Sequence, residues 1–275
     1  MRSSRNSRIA AHIGLIAVSV LFLVPIVWML DLALKTESET AVFPTLWLPE
    51  VPQWSNFAAA FTHIDFLGYF RNSMIISVIT TVLTVLSSSA VAFGLATQRA
   101  RGKRFVFALI VGTMMLPGIV TTIPIYIMYA RVGLTDTYVP WVLMGLGGSA
   151  FFIFMIRQGF AAVPREVEEA ALIDGCGYFR IWWRIYMPMT TPILAAAVVL
   201  QFVWSWGDYL FPRLLLSSEN TTLAVAIASG YTDRLGHSFP TLVAAGSLMF
   251  ALPVIILFLL LQRYFVQGFA TSGLK

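Results

Sequence analysis

Charge is what this sequence has least of. Only 11% of its 275 residues are Asp, Glu, Lys or Arg, while 58% are hydrophobic. Soluble domains carry about 25% charged residues, so this chain cannot dress a water-facing surface. Disorder is excluded by the same balance, because it needs low hydrophobicity and high net charge. Cysteine is nearly absent: Cys176 stands alone, which rules out an intrachain disulfide framework. The three histidines, His12, His63 and His237, are far apart and lack H-E-x-x-H spacing, so no zinc site is indicated. No G-x-x-x-x-G-K-[ST] run occurs, since Gly102-Lys103 has no upstream glycine and is followed by Arg104. The chain is therefore not expected to hydrolyse ATP, to need a cofactor or metal, or to act as an enzyme. An intramembrane enzyme would need paired acids or a Ser/His set within its apolar runs, and it stays only a distant alternative. Gly145-Leu-Gly-Gly-Ser-Ala150 fits a relaxed dinucleotide pattern, but it lies in an apolar run with no strand before it. Close helix packing is the better reading there.

Long apolar runs are abundant. A spanning helix needs about 20 mostly apolar residues, and six segments qualify: 9–30, 72–97, 105–130, 139–156, 190–211 and 241–261. None carries a charge near its middle, and the alternating pattern of barrel strands is missing. The expectation is an all-α, polytopic bundle of six transmembrane helices. The apolar run 9–30 is longer than a signal-peptide core, and no small-residue cleavage site follows it before Lys35, so this helix is expected to be retained.

The few charges are unevenly placed. Thirteen of the 18 basic residues fall in the N-terminal tail, the turn 98–104, the loop 157–188 and the C-terminal tail. Five fall in the other connections, 31–71, 131–138 and 212–240. The positive-inside rule puts both termini in the cytoplasm. The net charge of +5 is thus an orientation signal and not a nucleic-acid footprint.

The inside loop 157–188 is chemically dense. Pro164, Glu166, Glu168 and Glu169 suit a helix start, where acids meet the positive dipole end. Gly175 and Gly177 suit a stop and turn. Phe179, Trp182, Trp183 and Tyr186 recur at helical period, so a second short helix with an aromatic face is expected. Composition alone fits a solvated amphipathic loop, its aromatics packed on the ends of the spans.

The spacing carries more than composition does. Glu169-Ala170-Ala171, three residues, Gly175, nine residues, Ile185, one residue and Met187-Pro188 resembles the EAA loop of ABC importer permeases, E-A-A-x3-G-x9-I-x-L-P, with Met187 in place of Leu. Tyr69-Phe-Arg-Asn-Ser73 resembles the start of the permease core. Phe202-Val-Trp-Ser-Trp206-Gly-Asp208-Tyr-Leu resembles the W-N-[ED] stretch of the carbohydrate-uptake subfamily, that of the maltose permease's six-span subunit, with Gly207 where Asn is usual. Tyr264-Phe-Val-Gln-Gly268 resembles that subfamily's tail. The likeness runs from Tyr69 to the C-terminus, with a permease core at 70–263, an extracytoplasmic loop at 31–69 and cytoplasmic tails at 1–8 and 264–275.

The resemblance implies a type I importer permease of a bacterial inner membrane. It implies a second, homologous permease as a heterodimer partner, two cytoplasmic ATPase subunits that bind the ATP, and an extracytoplasmic solute-binding protein. The solute would be a sugar, polyol or glycoside, or alternatively a non-sugar such as glycerol phosphate. Carried over by position, Glu169, Ala170, Ala171, Asp174, Gly175, Ile185 and Pro188 couple the permease to its ATPase. Glu169 would pair with a basic residue, the two alanines would allow close docking, and Gly175 would form the turn. Candidates for the translocation path are Trp204, Trp206, Asp208, Thr121, Thr122 and Tyr126. The hydroxyls fit plain helix packing better than a path, and the tryptophans serve an interfacial belt as readily as stacking on a sugar. Pro117-Gly118 and Pro124 are expected to interrupt the third span.

Overall fold

The computed structural model describes residues 5–272, with side chains at Ile9 and over 11–264. Residues 2 and 275 and the side chains of the basic residues at 5 and 8 and of the tail motif after Tyr264 lie outside what is described. The described residues are mostly helical, with one isolated antiparallel bridge, Thr232 to Ser238. Four helices are long and apolar enough to cross a membrane: Ala11–Ala33, Phe66–Thr97, Val139–Ala161 and Pro240–Tyr264. Two bent pairs, Lys103–Thr113 with Gly118–Arg131 and Tyr178–Met189 with Thr191–Trp206, bring the number to six if each pair is one span.

The breaks have local causes. Lys103–Thr113 and Gly118–Arg131 meet at 94°, where Pro117 lacks the N–H that would continue the ladder. Pro124, in contrast, sits inside an unbroken helix, so only one of the two expected interruptions exists. The fourth span is longer than 139–156 and consists of Val139–Gly147 and Ala150–Ala161, divided at Gly148-Ser149. The fifth begins at Thr191, after an 85° bend, and its helix stops at Trp206 rather than near 211.

The chain divides into two compact units. The first comprises residues 1–68 and 225–252. In it, Lys35 donates to Asp31 at 2.5 Å and to the Leu46 carbonyl at 2.6 Å, both charged side chains being almost fully buried. Asn56 donates to the carbonyls of Ala33 and Lys35, and the Gln53 N–H to that of Leu34, which satisfies the end of helix Arg5–Ala33. Thr36 and Glu39 form a capping box on Glu37–Thr40, and bonds from the N–H groups of Thr36 and Glu50 hold the Glu39 carboxyl below its usual range. Tyr231 is buried, donates to the Ala60 carbonyl, and is pushed up to about 12 by that burial.

The second unit comprises residues 69–224 and 253–275. Its main apolar cluster joins Phe93, Phe152, Ile156, Phe160, Ala171, Ile181 and Tyr186. A smaller one joins Ile76, Tyr129, Trp141, Leu215 and Leu216. The buried side of helix Phe66–Thr97 is a row of small hydroxyls: Ser73, Ser77, Thr80, Thr84 and Ser88 recur at steps of three and four. Small polar residues of this kind let helices approach closely in lipid. Ser87 donates to the Gly145 carbonyl at 2.8 Å, and Ser88 accepts from the Ser149 N–H at 3.0 Å. The Ser87–Ser89 run thus serves packing.

At Gly145 an added Cβ would lie 2.8 Å from that of Leu83. Gly145→Val is therefore expected to cost about 1–3 kcal/mol by overpacking. A thermal melt of the purified protein in detergent reads this, and an unchanged midpoint would refute the close approach.

Candidate functional site

The hairpin at 165–189 is built by ordinary capping chemistry. Helix Arg165–Ile173 has Pro164 as its N-cap residue and Glu166 and Glu168 in its first turn. At its end the Cys176 N–H donates to the Ala171 carbonyl and the Gly175 N–H to that of Leu172. This is the Schellman pair of bonds, and Gly175 takes the positive φ, +79°, that the motif requires. Four residues from Ala171 to Gly175 is the interval the motif needs.

The structure separates the two alanines of Glu169-Ala170-Ala171. Ala170 is exposed beside exposed Glu169, whereas Ala171 is 7% exposed and packs with Phe160, Ile181 and Tyr186. The expectation that both alanines face a partner is corrected for Ala171, whose small size fits the interior. Behind it the Tyr186 hydroxyl donates to Glu168 at 2.9 Å, tying the two arms together. No sequence signal pointed to that bond.

The aromatic face also needs correcting. Residues Trp182–Tyr186 form one π-helical turn between Tyr178–Ile181 and Met187–Met189. The wider turn shifts the register, so Phe179 and Trp183 are 75% and 50% exposed while Tyr186 is buried. With Leu172 at 39% and Ile173 at 87%, they leave apolar surface on a hairpin already packed on its other side. Asp174 and Pro188 are exposed, and Ile185 packs against the main cluster. Glu169 and Leu172 line one open cleft with Arg99, Arg165, Glu168 and Tyr178.

The path candidates fall into separate places. Trp204, half exposed, and Asp208 line a pocket of about 240 Å³ with Thr80, Thr84, Trp141, Gly148, Ser149, Gln201 and Ser205. Phe151 and Phe152 hold the Trp204 ring at centroid distances of 5.3 and 5.2 Å. One Asp208 oxygen accepts from the Leu210 and Phe211 N–H groups, so this acid also starts helix Leu210–Leu215. The hydroxyls of Thr80 and Ser205 are buried without a partner.

Trp206 does not belong with them. It is 1% exposed, stacks on Phe202 at 5.7 Å and meets Phe70 edge-on at 5.5 Å, so it is a packing residue and not a path candidate. Thr121 and Thr122 both donate to the Gly118 carbonyl, and Tyr126 packs against the smaller cluster. None of these three lines the pocket. Thr80, Thr84, Gln201 and Ser205 went unnoticed in the sequence, although the three-and-four step of hydroxyls from Ser73 to Ser88 is visible there.

The connections around residues 136 and 217–223 are fastened as firmly. Asn72 donates to the Asn220 and Thr221 carbonyls at 3.2 Å, and Ser73 accepts from the Leu223 N–H at 2.8 Å. Asp136 accepts from the Ser217 N–H and from Asn220, bonds that hold its carboxyl below the usual range.

Known proteins fit this geometry. Residues 88–271 match the family described as binding-protein-dependent transport system inner membrane component. A probable ABC transporter permease of Bacillus subtilis, YurM, is 35% identical over 91% of this chain and 83% of its own. The arabinooligosaccharides transport system permease protein AraQ of the same species is 33% identical over 98% of this chain and 96% of its own. In fold, a chain of a bacterial ABC transporter involved in import of the acidic polysaccharide alginate superposes with a TM-score of 0.78 at 24% identity, covering 95% of this chain and 98% of that one. With apolar helices for several membrane crossings and a match over most of its length, this chain belongs to the inner-membrane components of binding-protein-dependent transport systems, the permeases of ABC importers.

Proposed function

We propose that the chain is one of two permeases in a sugar importer and that the hairpin 165–189 seats it on a separate ATPase subunit. The observation that carries this is the divided hairpin. One side, with Ala171, Ile181 and Tyr186, is locked into the bundle. The other presents Ala170, Leu172, Ile173, Phe179 and Trp183 with Glu169 among them. An apolar patch rimmed by charge marks a protein contact, and rigid attachment lets a partner's movement pass to the spans as a rigid-body shift. A solute-binding protein would meet the opposite side of the membrane, as the family's description implies, and both termini would be cytoplasmic by the charge bias.

For the solute, the reading rests on a relative that carries arabinooligosaccharides and on the pocket of Trp204, Gln201, Ser205 and Asp208. Its size admits about one sugar ring. A carboxylate on its wall works against a phosphorylated solute such as glycerol phosphate.

The two alanines separate docking from folding. Ala170→Leu is expected to leave the permease stable but to lower ATPase copurification by roughly tenfold or more, as an obstruction at an interface core does. Ala171→Leu is expected to destabilise the protein by about 1–3 kcal/mol through overpacking. Normal ATPase recovery with Ala170→Leu would overturn the docking assignment.

A further inference from the structure

On the side of the chain that carries the hairpin lies a second cleft, and its lining is cationic. Thr97 ends one apolar helix and Lys103 begins the next. Between and beside them, Arg99, Arg101, Lys103, Arg104 and Arg165 surround one open cleft that no acidic side chain lines. Lys103 is held in place by donating to the Ala96 and Gln98 carbonyls. Arg99, Arg101, Arg104 and Arg165 form no ion pair with any described residue. Helix Lys103–Thr113 starts at the same point, and Gly102 gives its first turn no side-chain cap. Uncapped N–H groups and a positive dipole end add to the attraction for an anion. Four guanidinium groups and an ammonium gather at the ends of two apolar helices, and of them only Arg99 and Arg165 also line the neighbouring cleft that holds Glu168 and Glu169.

The surface next to the cleft is apolar. Phe105 forms part of its lining, and Phe105, Val106 and Leu109 on the same helix are 67%, 48% and 56% exposed. The ligand that matches both parts is amphiphilic, with a phosphate for the arginines and hydrocarbon for the helix face. Basic pockets at the cytoplasmic ends of spanning helices hold anionic headgroups by this chemistry, and guanidinium binds phosphate with paired hydrogen bonds.

We propose that the cleft holds the headgroup phosphate of an anionic phospholipid of the phosphatidylglycerol class, with its acyl chains along Phe105, Val106 and Leu109. Arg165 is the first residue of the helix that carries Glu169. The lipid therefore bridges the turn between two spans and the hairpin, and it steadies the hairpin against the membrane surface. The assignment holds whatever solute is carried.

The test is native mass spectrometry of the full transporter extracted from vesicles of equal phosphatidylglycerol and phosphatidylcholine. Retained phosphatidylglycerol is the expected result. Arg165→Gln, which leaves the orientation-setting cluster 99–104 intact, is expected to lower that retention about fivefold, with Arg165→Lys largely restoring it. Retention equal to the parent's in Arg165→Gln and in an Arg99→Gln/Arg101→Gln pair would overturn the site. Displacement of the lipid by millimolar inorganic phosphate would assign the cleft to a soluble anion instead. Variants that keep the lipid but lose the ATPase subunits would make the arginines a protein-docking surface, and either result overturns the proposal.

Discussion

A Gly175→Asp permease is expected to reach the membrane in normal amounts and to take up no solute. The backbone at Gly175 has a φ of +79°, and no atom lies within 4 Å of the position a Cβ would take. The substitution therefore meets no clash, and Asp is among the residues that best tolerate the left-handed region, at a cost of about 1 kcal/mol. Folding survives that. What changes is the surface: a carboxylate appears beside Asp174 and the 87% exposed Ile173, on the face proposed to enter the ATPase. A buried, unpaired charge at an interface costs several kcal/mol, enough to abolish productive docking. Gly175→Ala carries the same backbone strain without the charge and is expected to keep part of the uptake. Normal uptake by Gly175→Asp would remove the turn from the coupling surface. Equal inactivity of Gly175→Ala would place the defect in the backbone.

Lys35→Met is expected to lower stability by about 3–5 kcal/mol, the usual result of removing one partner of a buried ion pair. The Lys35 and Asp31 side chains are only 4% and 8% exposed, so the remaining carboxylate has little water to turn to. One of its oxygens has no hydrogen-bond partner even with lysine present. The lysine also covers the Trp28 ring at 5.6 Å and satisfies the Leu46 carbonyl. The double variant Lys35→Met/Asp31→Leu removes both charges and is expected to recover most of the loss. Melting in detergent compares the three proteins. A single variant as stable as the parent would show that the pair is solvated, contrary to its burial.

Much of this was legible in the sequence, for reasons that differ by residue. The apolar runs announce themselves because lipid tolerates little else, whereas proline marks only a candidate break: Pro117 stands at one, and Pro124, lacking the same N–H, stands inside an unbroken helix. The turn at Gly175 is legible because only a left-handed residue closes a Schellman motif at that interval. The π turn at Trp182–Tyr186 is not. Its aromatics follow a 3.6-residue period, and the edge-on contacts of Tyr186 with Phe93 and Phe160 at the end of that turn are not encoded in any local pattern. The same limit explains Trp204 and Trp206. Two residues apart on a helix, they point to different surroundings, and the pattern W-x-W does not say which one faces Phe202 and which the pocket. The Lys35–Asp31 pair looks like an ordinary i, i+4 surface pair until its burial is known.

The bonds from Asn72 and Ser73 to residues 220–223 join positions 148 to 150 apart in the chain. Chains are made from the N-terminus and fold as they emerge, so helix Phe66–Thr97 exists long before the ribosome reaches Leu223. The later segment then meets a ready template: an amide waiting for two carbonyls and a hydroxyl waiting for the first N–H of helix Leu223–Gly230. The order of synthesis is built into the order of assembly, and the connection ahead of Leu223 is shaped by one of the earliest helices to be made.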